Sequence, residues 1–223
     1  MRSLTFILIL ICSSALAEAP TEQFLLYRRP NLNLTVSSNN LTGDYWTNYL
    51  TSATANAGVA PNGLSQATLG KLSTVSQQYR IGFTTQPLTF VTNQPYNISV
   101  YANYNGSGAG LRYVCLTIFV GAYKGQCYDL QAASIDTVPI SPSSGVSAAG
   151  AVYVGNNWYR LWMTIYATAS VTKAATGFWP SPIAPPSLGW TMTAGTANAT
   201  DGILLWGAQV TSGLNLQPYQ AQP

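Results

Sequence analysis

GNNWYRLWMTIY, residues 155–166, holds a turn signal followed by an unbroken two-residue alternation. Gly155-Asn156-Asn157 is turn chemistry. Successive side chains of a strand point to opposite faces, so parity sorts the remainder. Tyr159, Leu161, Met163 and Ile165 form an apolar set suited to the core of a sandwich. Trp158, Arg160, Trp162, Thr164 and Tyr166 form the opposite set, which is large, aromatic and polar-tipped. Two readings of that second face stay open. In one, Trp158 and Trp162 pack under a loop or second layer while Arg160 pairs with a carboxylate, as aromatic rows in strands commonly do. In the other, the face is a flat binding platform.

The same alternation recurs elsewhere. In residues 96–104, Ile98, Val100 and Ala102 face one way, and Asn97, Ser99, Tyr101 and Asn103 face the other. Runs 111–120 and 123–130 read as a hairpin about Gly121, which sets Cys115 opposite Cys127. A disulfide there closes a short loop worth about 3 kcal/mol in an oxidising compartment; two unpaired thiols are the alternative. Tyr79, Ile81 and Phe83 share a face, and residues 190–193 and 203–210 supply late strands. Residues 139–150, rich in Pro, Ser and Gly, read as a loop before a short strand at 151–154. The stretch FWPSPIAPP, 178–186, is excluded as a central strand because proline lacks the ladder donor. No amphipathic helix and no repeat is visible. Many short strands separated by Gly, Pro and Asn turns predict an all-β fold, a two-sheet antiparallel β-sandwich or jelly roll. The expected core includes Ile98, Val100, Val114, Leu116, Ile118, Leu161, Met163 and Ile165.

Residues 1–17 read as a signal peptide: Arg2, an apolar run over 4–11, and Ala15-Leu16-Ala17 as the cleavage site. Ile11 is too bulky to precede a lipoprotein anchor at Cys12. The apolar run is far shorter than the roughly 20 residues that span a bilayer, so no membrane insertion is expected. Residues 18–223 are then expected to form a single β-sandwich domain of ordinary size, secreted or extracellular. The chain has nine Lys and Arg, six Asp and Glu, and no His. Its basic residues are scattered rather than clustered, which gives no electrostatic footprint for nucleic acid.

The ordered set of short pieces resembles the jelly-roll, concanavalin-A-like carbohydrate-binding domains of phage tail fibres and related secreted adhesins. The pieces are Phe24-Leu25-Leu26-Tyr27, Tyr45-Trp46-Thr47, Ala60-Pro61-Asn62-Gly63, and Ala67-Thr68-Leu69-Gly70-Lys71-Leu72. They continue with YNISVYA at 96–102, Cys127-Tyr128-Asp129-Leu130, VGNNWYR at 154–160, LLWGAQV at 204–210 and Pro218-Tyr219. The resemblance implies a glycan-binding sandwich displayed on a particle or cell. The chain departs from it at Asn157, where a glycine is expected, and in the Pro-rich segment after Trp179.

Without histidine there is no Ser-His-Asp or Cys-His arrangement and no zinc-type site. Glycoside hydrolysis needs two facing carboxylates, and after Glu18 and Glu22 only Asp44, Asp129, Asp136 and Asp201 remain, so the chain reads as no enzyme. No cofactor is expected, although Asp44 or Asp201 in loops would suit structural calcium. Sugar binding asks instead for aromatic plates beside neutral or planar polar groups. Six Trp and fourteen Tyr are present. The expected carbohydrate-binding residues are Trp158, Arg160 and Trp162, with Tyr101 and Asn103 on a neighbouring strand. Alternate residues of one strand are about 6.8 Å apart, close to the length of a sugar ring. The partner is then a glycan or polysaccharide. The competing class is a structural surface or virion protein, a homo-oligomer with this aromatic face as its subunit interface. Glycosylation sequons stand at Asn33, Asn40, Asn97, Asn105 and Asn198, and only a eukaryotic host would read them.

Overall fold

In the computed structural model, residues 31–223 form one compact unit. The structure describes residues 33–35, 39–42, 46–49, 51–72, 80–84, 88–105, 112–120, 123–131, 137–138, 145–181 and 202–221. The signal peptide expected at 1–17, Tyr79 and the strand expected at 190–193 lie outside these. Among the described residues there is no helix, and so none long and apolar enough to cross a membrane.

The described residues form an all-β, two-sheet antiparallel sandwich. One sheet is built from β1 (Trp46–Tyr49), β4 (Arg80–Thr84), β5 (Leu88–Phe90), β7 (Tyr113–Phe119), β8 (Tyr123–Asp129), β9 (Thr137–Val138) and β12 (Val171–Ser181). Its order is β1-β4-β12-β7-β8-β9, with β5 also paired to β12. The six-stranded sheet holds β2 (Thr51–Gly58), β3 (Ala67–Leu72), β6 (Pro95–Asn105), β10 (Val146–Gly155), β11 (Trp158–Tyr166) and β13 (Gly202–Ser212). Its order is β10-β11-β6-β13-β3-β2, so the last strand in sequence is an inner one.

The parity argument accounts for the core. Ile98 and Val100 of β6, Leu161, Met163 and Ile165 of β11, and Val114, Leu116 and Ile118 of β7 are all essentially without exposure. They meet Phe178 and Tyr128 between the sheets. Each such side chain contributes roughly 1.5–3 kcal/mol on burial. Tyr128 crosses the layer, and its hydroxyl donates to the Trp162 carbonyl of the facing sheet at 2.5 Å. Cys115 and Cys127 are register partners on β7 and β8 and are disulfide-bonded.

Two expectations about strands are corrected. β12 runs through Phe178, Trp179 and Pro180 in the middle of its sheet, with Pro180 opposite Val114. Its pairing to β4 is at Gly177 and Phe178, so in the described ladder Pro180 lies beyond the β4 pairing and borders only β7, as proline at the margin of a ladder can. β10 begins at Val146 rather than 151, because pairing to β11 recruits the small residues that read as loop. The turn between them is legible in its dihedrals. Asn156 and Asn157 have φ of 50° and 61°, the two positive values of a two-residue hairpin turn. Asparagine tolerates that region nearly as glycine does, which explains why Asn157 serves where a glycine is expected.

Two sequons are closed by the fold. Asn33 and Asn97 are 3% and 1% exposed. The Asn33 amide donates to the carbonyls of Ala208 and Gln220, and the Asn97 amide donates to the Thr164 hydroxyl. Asn40 is exposed. The Asn105 side chain and Asn198 lie outside the described residues.

Candidate functional site

The outer face of the six-stranded sheet, turned away from the core, carries the aromatic residues. Register sets its rows. Trp158 lies opposite Asn103, which lies opposite Leu204. The next row is Val152, Arg160, Tyr101 and Trp206, and beyond it come Gly150, Trp162, Ser99 and Gln209. All five residues singled out in the sequence therefore share one face.

Their exposures differ sharply. Trp158 is 3% exposed, packed with Ala60, Ala67, Leu204 and Trp206, and its indole N–H donates to the Val59 carbonyl at 3.2 Å. It follows the packing reading and is not an open plate. Trp162 is half-buried and lies flat on the backbone of Gly150, where an added Cβ would stand 2.9 Å from the ring. Tyr101 and Asn103 are also half-buried, and the Asn103 amide donates to the Asn156 carbonyl at 3.0 Å. Arg160 is 7% exposed. It donates through Nη2 to the Ser99 hydroxyl at 3.1 Å, and its guanidinium carbon sits 5.3 Å from the centre of the Tyr101 ring. Its Nε is buried without an acceptor, and so is the indole N–H of Trp206. No carboxylate stands beside it among the described residues. Asp129 is the single one described, and it is paired with Arg112 on the other sheet.

The C-terminal segment covers part of this face. Gln209 donates to the carbonyls of Gln217 and Pro218 and accepts from the Gln220 N–H at 2.8 Å. This holds Tyr219 against Trp206 at 4.5 Å and edge-on to Tyr101 at 5.9 Å. A bulge in β13 between Trp206 and Gln209 makes room, with Gly207 at φ 66° beneath both tyrosines. An added Cβ there would meet Tyr101 at 2.9 Å, so neither the dihedral nor the space suits a larger residue. Gly150, Gly207, Gln209 and Tyr219 were not singled out as site residues in the sequence. The LLWGAQV run and Pro218-Tyr219 carried the only signal of them.

Among the described residues the face has two cations, Arg160 within the aromatic rows and Lys71 at the far end of β3, where it lies opposite Gly202. Burial pulls the Arg160 guanidinium down from its ordinary value, against the nearby phenols of Tyr101 and Tyr219. Burial in turn raises Tyr101, against the pull of Arg160. Among the described residues no group of His, Cys, Asp and Glu is placed to hold a metal. Asp44 and Asp201, the residues considered for calcium, lie outside them.

No family model matches the chain, and no curated protein matches it in sequence. Among solved structures it is similar to an arabinose-bound α-L-arabinofuranosidase, MgGH51, at 10% identity and a TM-score of 0.45. That match covers 76% of this chain and only 23% of the arabinofuranosidase. It is also similar to the CBM22-1 xylan-binding domain of Xyn10C from Paenibacillus barcinonensis, at 13% identity and a TM-score of 0.38. That match covers 75% of this chain and 85% of the domain. Both scores are low, and the sandwich assignment stands on the chain's own two sheets.

Proposed function

We propose that this chain is an exported, non-catalytic carbohydrate-binding module of the tail-fibre or surface-adhesin type, taking a polysaccharide on the outer face of the six-stranded sheet. The observation that carries the reading is the half-buried pair Trp162 and Tyr101 beside Arg160, one next along β11 and the other across the ladder on β6, set among hydroxyl and amide groups. Aromatic faces stack on the C–H faces of a pyranose, and neutral donors and a planar cation meet its hydroxyls. Among the described residues no carboxylate stands beside these rings, and the reading as binding without hydrolysis is supported by that. The Cys115–Cys127 disulfide fits an oxidising, extracytoplasmic compartment.

Screening the exported protein against a glycan array, then titrating variants with the best ligand, tests this. Trp162→Ala keeps the fold and loses most of the affinity. Trp158→Ala instead costs about 3–5 kcal/mol of stability, as a buried aromatic does. A folded Trp162→Ala protein with unchanged affinity refutes the placement.

One observation favours the structural reading as a second. β10 is an edge strand of its sheet with no charged residue, and Val152, Tyr153 and Val154 are 46%, 59% and 42% exposed. Such an edge invites pairing with another copy. Sizing with and without oligosaccharide separates the two: a concentration-dependent oligomer indifferent to sugar supports the subunit interface.

A further inference from the structure

Arg160 is the group on this face whose surroundings are incomplete. A buried cation is ordinarily paired with an anion or fully hydrogen-bonded, because leaving it alone forfeits its hydration without return. Arg160 has the Ser99 hydroxyl, the Tyr101 ring and the phenol oxygens of Tyr101 and Tyr219, all neutral, and its Nε has no acceptor. Its row neighbours are Val152 and Tyr101, and the next rows hold Trp158, Asn103, Trp162 and Ser99, none of them anionic. The half-exposed Val152 leaves the β10 side of the row open to solvent.

We infer that Arg160 receives the carboxylate of an acidic sugar, so that the polysaccharide bound here is a uronic-acid polymer. The inference rests on the carbohydrate-binding reading above and deepens it. A guanidinium is planar and presents its N–H groups as a fork that matches a carboxylate, and the pair is stronger than hydrogen bonds to neutral hydroxyls. A single fixed cation beside two rings also selects one charged group per sugar rather than a diffuse polyanion, which would need a basic patch. Trp162, next to Arg160 along β11, then stacks on the sugar ring that carries the acid. The carboxylate completes the charge balance that the protein's own residues leave open.

The test uses the intact exported protein and matched polymers: polygalacturonate, polymannuronate and hyaluronan, each beside its carboxyl-reduced form, titrated calorimetrically at constant ionic strength. The expected result is at least one acidic polymer bound about tenfold or more tightly than its reduced form. Arg160→Lys keeps the charge but loses the fork, and it weakens the acidic polymer far more than its reduced form, which removes most of that preference. Because the paired polymers compare ligands on the native chain, the result does not depend on the variant folding. Equal binding of acidic and reduced polymers, lost in Trp162→Ala, overturns the acid inference and leaves sugar binding intact. An acid preference that persists in folded Arg160→Lys also overturns it. No binding of any polymer in either form refutes both readings together.

Discussion

Tyr128→Phe removes one oxygen from the centre of the sandwich, and its effect on stability changes with pH in a way the structure dictates. Tyr128 is wholly buried, with its hydroxyl on the Trp162 carbonyl across the interlayer space. At neutral pH the loss of that bond costs about 0.5–1.5 kcal/mol. Burial also holds the phenol far above the ordinary tyrosine value of about 10. In the folded protein it stays protonated under strongly alkaline conditions, while in the unfolded chain it ionises from about pH 10. A raised folded pKa therefore contributes stability that is whole below about pH 10 and is lost as pH rises toward the folded value. The loss runs at about 1.4 kcal/mol per pH unit. Phenylalanine has nothing to ionise, so the native protein gives up about 1.4 kcal/mol by pH 11 that the variant keeps. The deficit of the variant shrinks above pH 10, and the two proteins come level between about pH 10 and 11, the higher the larger the hydrogen-bond loss.

Denaturant unfolding of both proteins at pH 8, 10 and 11 measures this. Other tyrosines, Tyr101 among them, titrate in both proteins and cancel in the difference. A deficit that stays constant from pH 8 to 11 refutes the argument, because it would mean that the Tyr128 hydroxyl ionises as readily folded as unfolded.

Reduction of the Cys115–Cys127 bond, or replacement of both cysteines by serine, costs about 3 kcal/mol through the short loop it closes; mass spectrometry of the unreduced protein shows no free thiol at either position. Gly207→Ala forces a Cβ against Tyr101 at a positive φ and destabilises by more than about 1 kcal/mol. Gly63→Ala, with φ 81° but open space around it, comes near the dihedral part of that cost alone. Equal effects in the two variants would show that the ring contact contributes nothing.

What could be read from the sequence follows a physical division. β6, β7 and β11 each present one face to the core, so their alternation showed which side chains are buried and, through the register about Gly121, which cysteines pair. β10 and β2 are made largely of Ala, Ser, Thr and Gly, whose side chains carry no period, and their strands emerge only from pairing. Pro180 misled because a local rule about donors was applied without knowing which neighbour each backbone group meets. In the candidate site, parity placed Trp158 and Trp162 on one face but said nothing about cover. Residues near Val59 and Ala60 bury the first, and the segment ending in Tyr219 covers the rows beside the second without closing it. Both covers arrive from chain segments remote in sequence, which no local pattern encodes.

The inner position of β13 has a consequence for how the chain is made. A sheet whose central seat belongs to the last strand cannot close while the chain is still being synthesised. β6 and β3 have no partner on that side until residue 202 and beyond are available. Contacts this remote in sequence make for slow closure. Asn33 shares that wait, because its partners Ala208, Val210 and Gln220 lie as many as 187 residues away. In a host that glycosylates nascent chains, its sequon stays open for nearly the whole of synthesis, although the finished fold hides it. A sugar attached in that interval occupies the nitrogen that fastens the C-terminal segment, so such a host accumulates chains unable to complete the sheet. Asn33→Gln fails to restore the short reach of that amide. Thr35→Ala removes the sequon while leaving Asn33 in place.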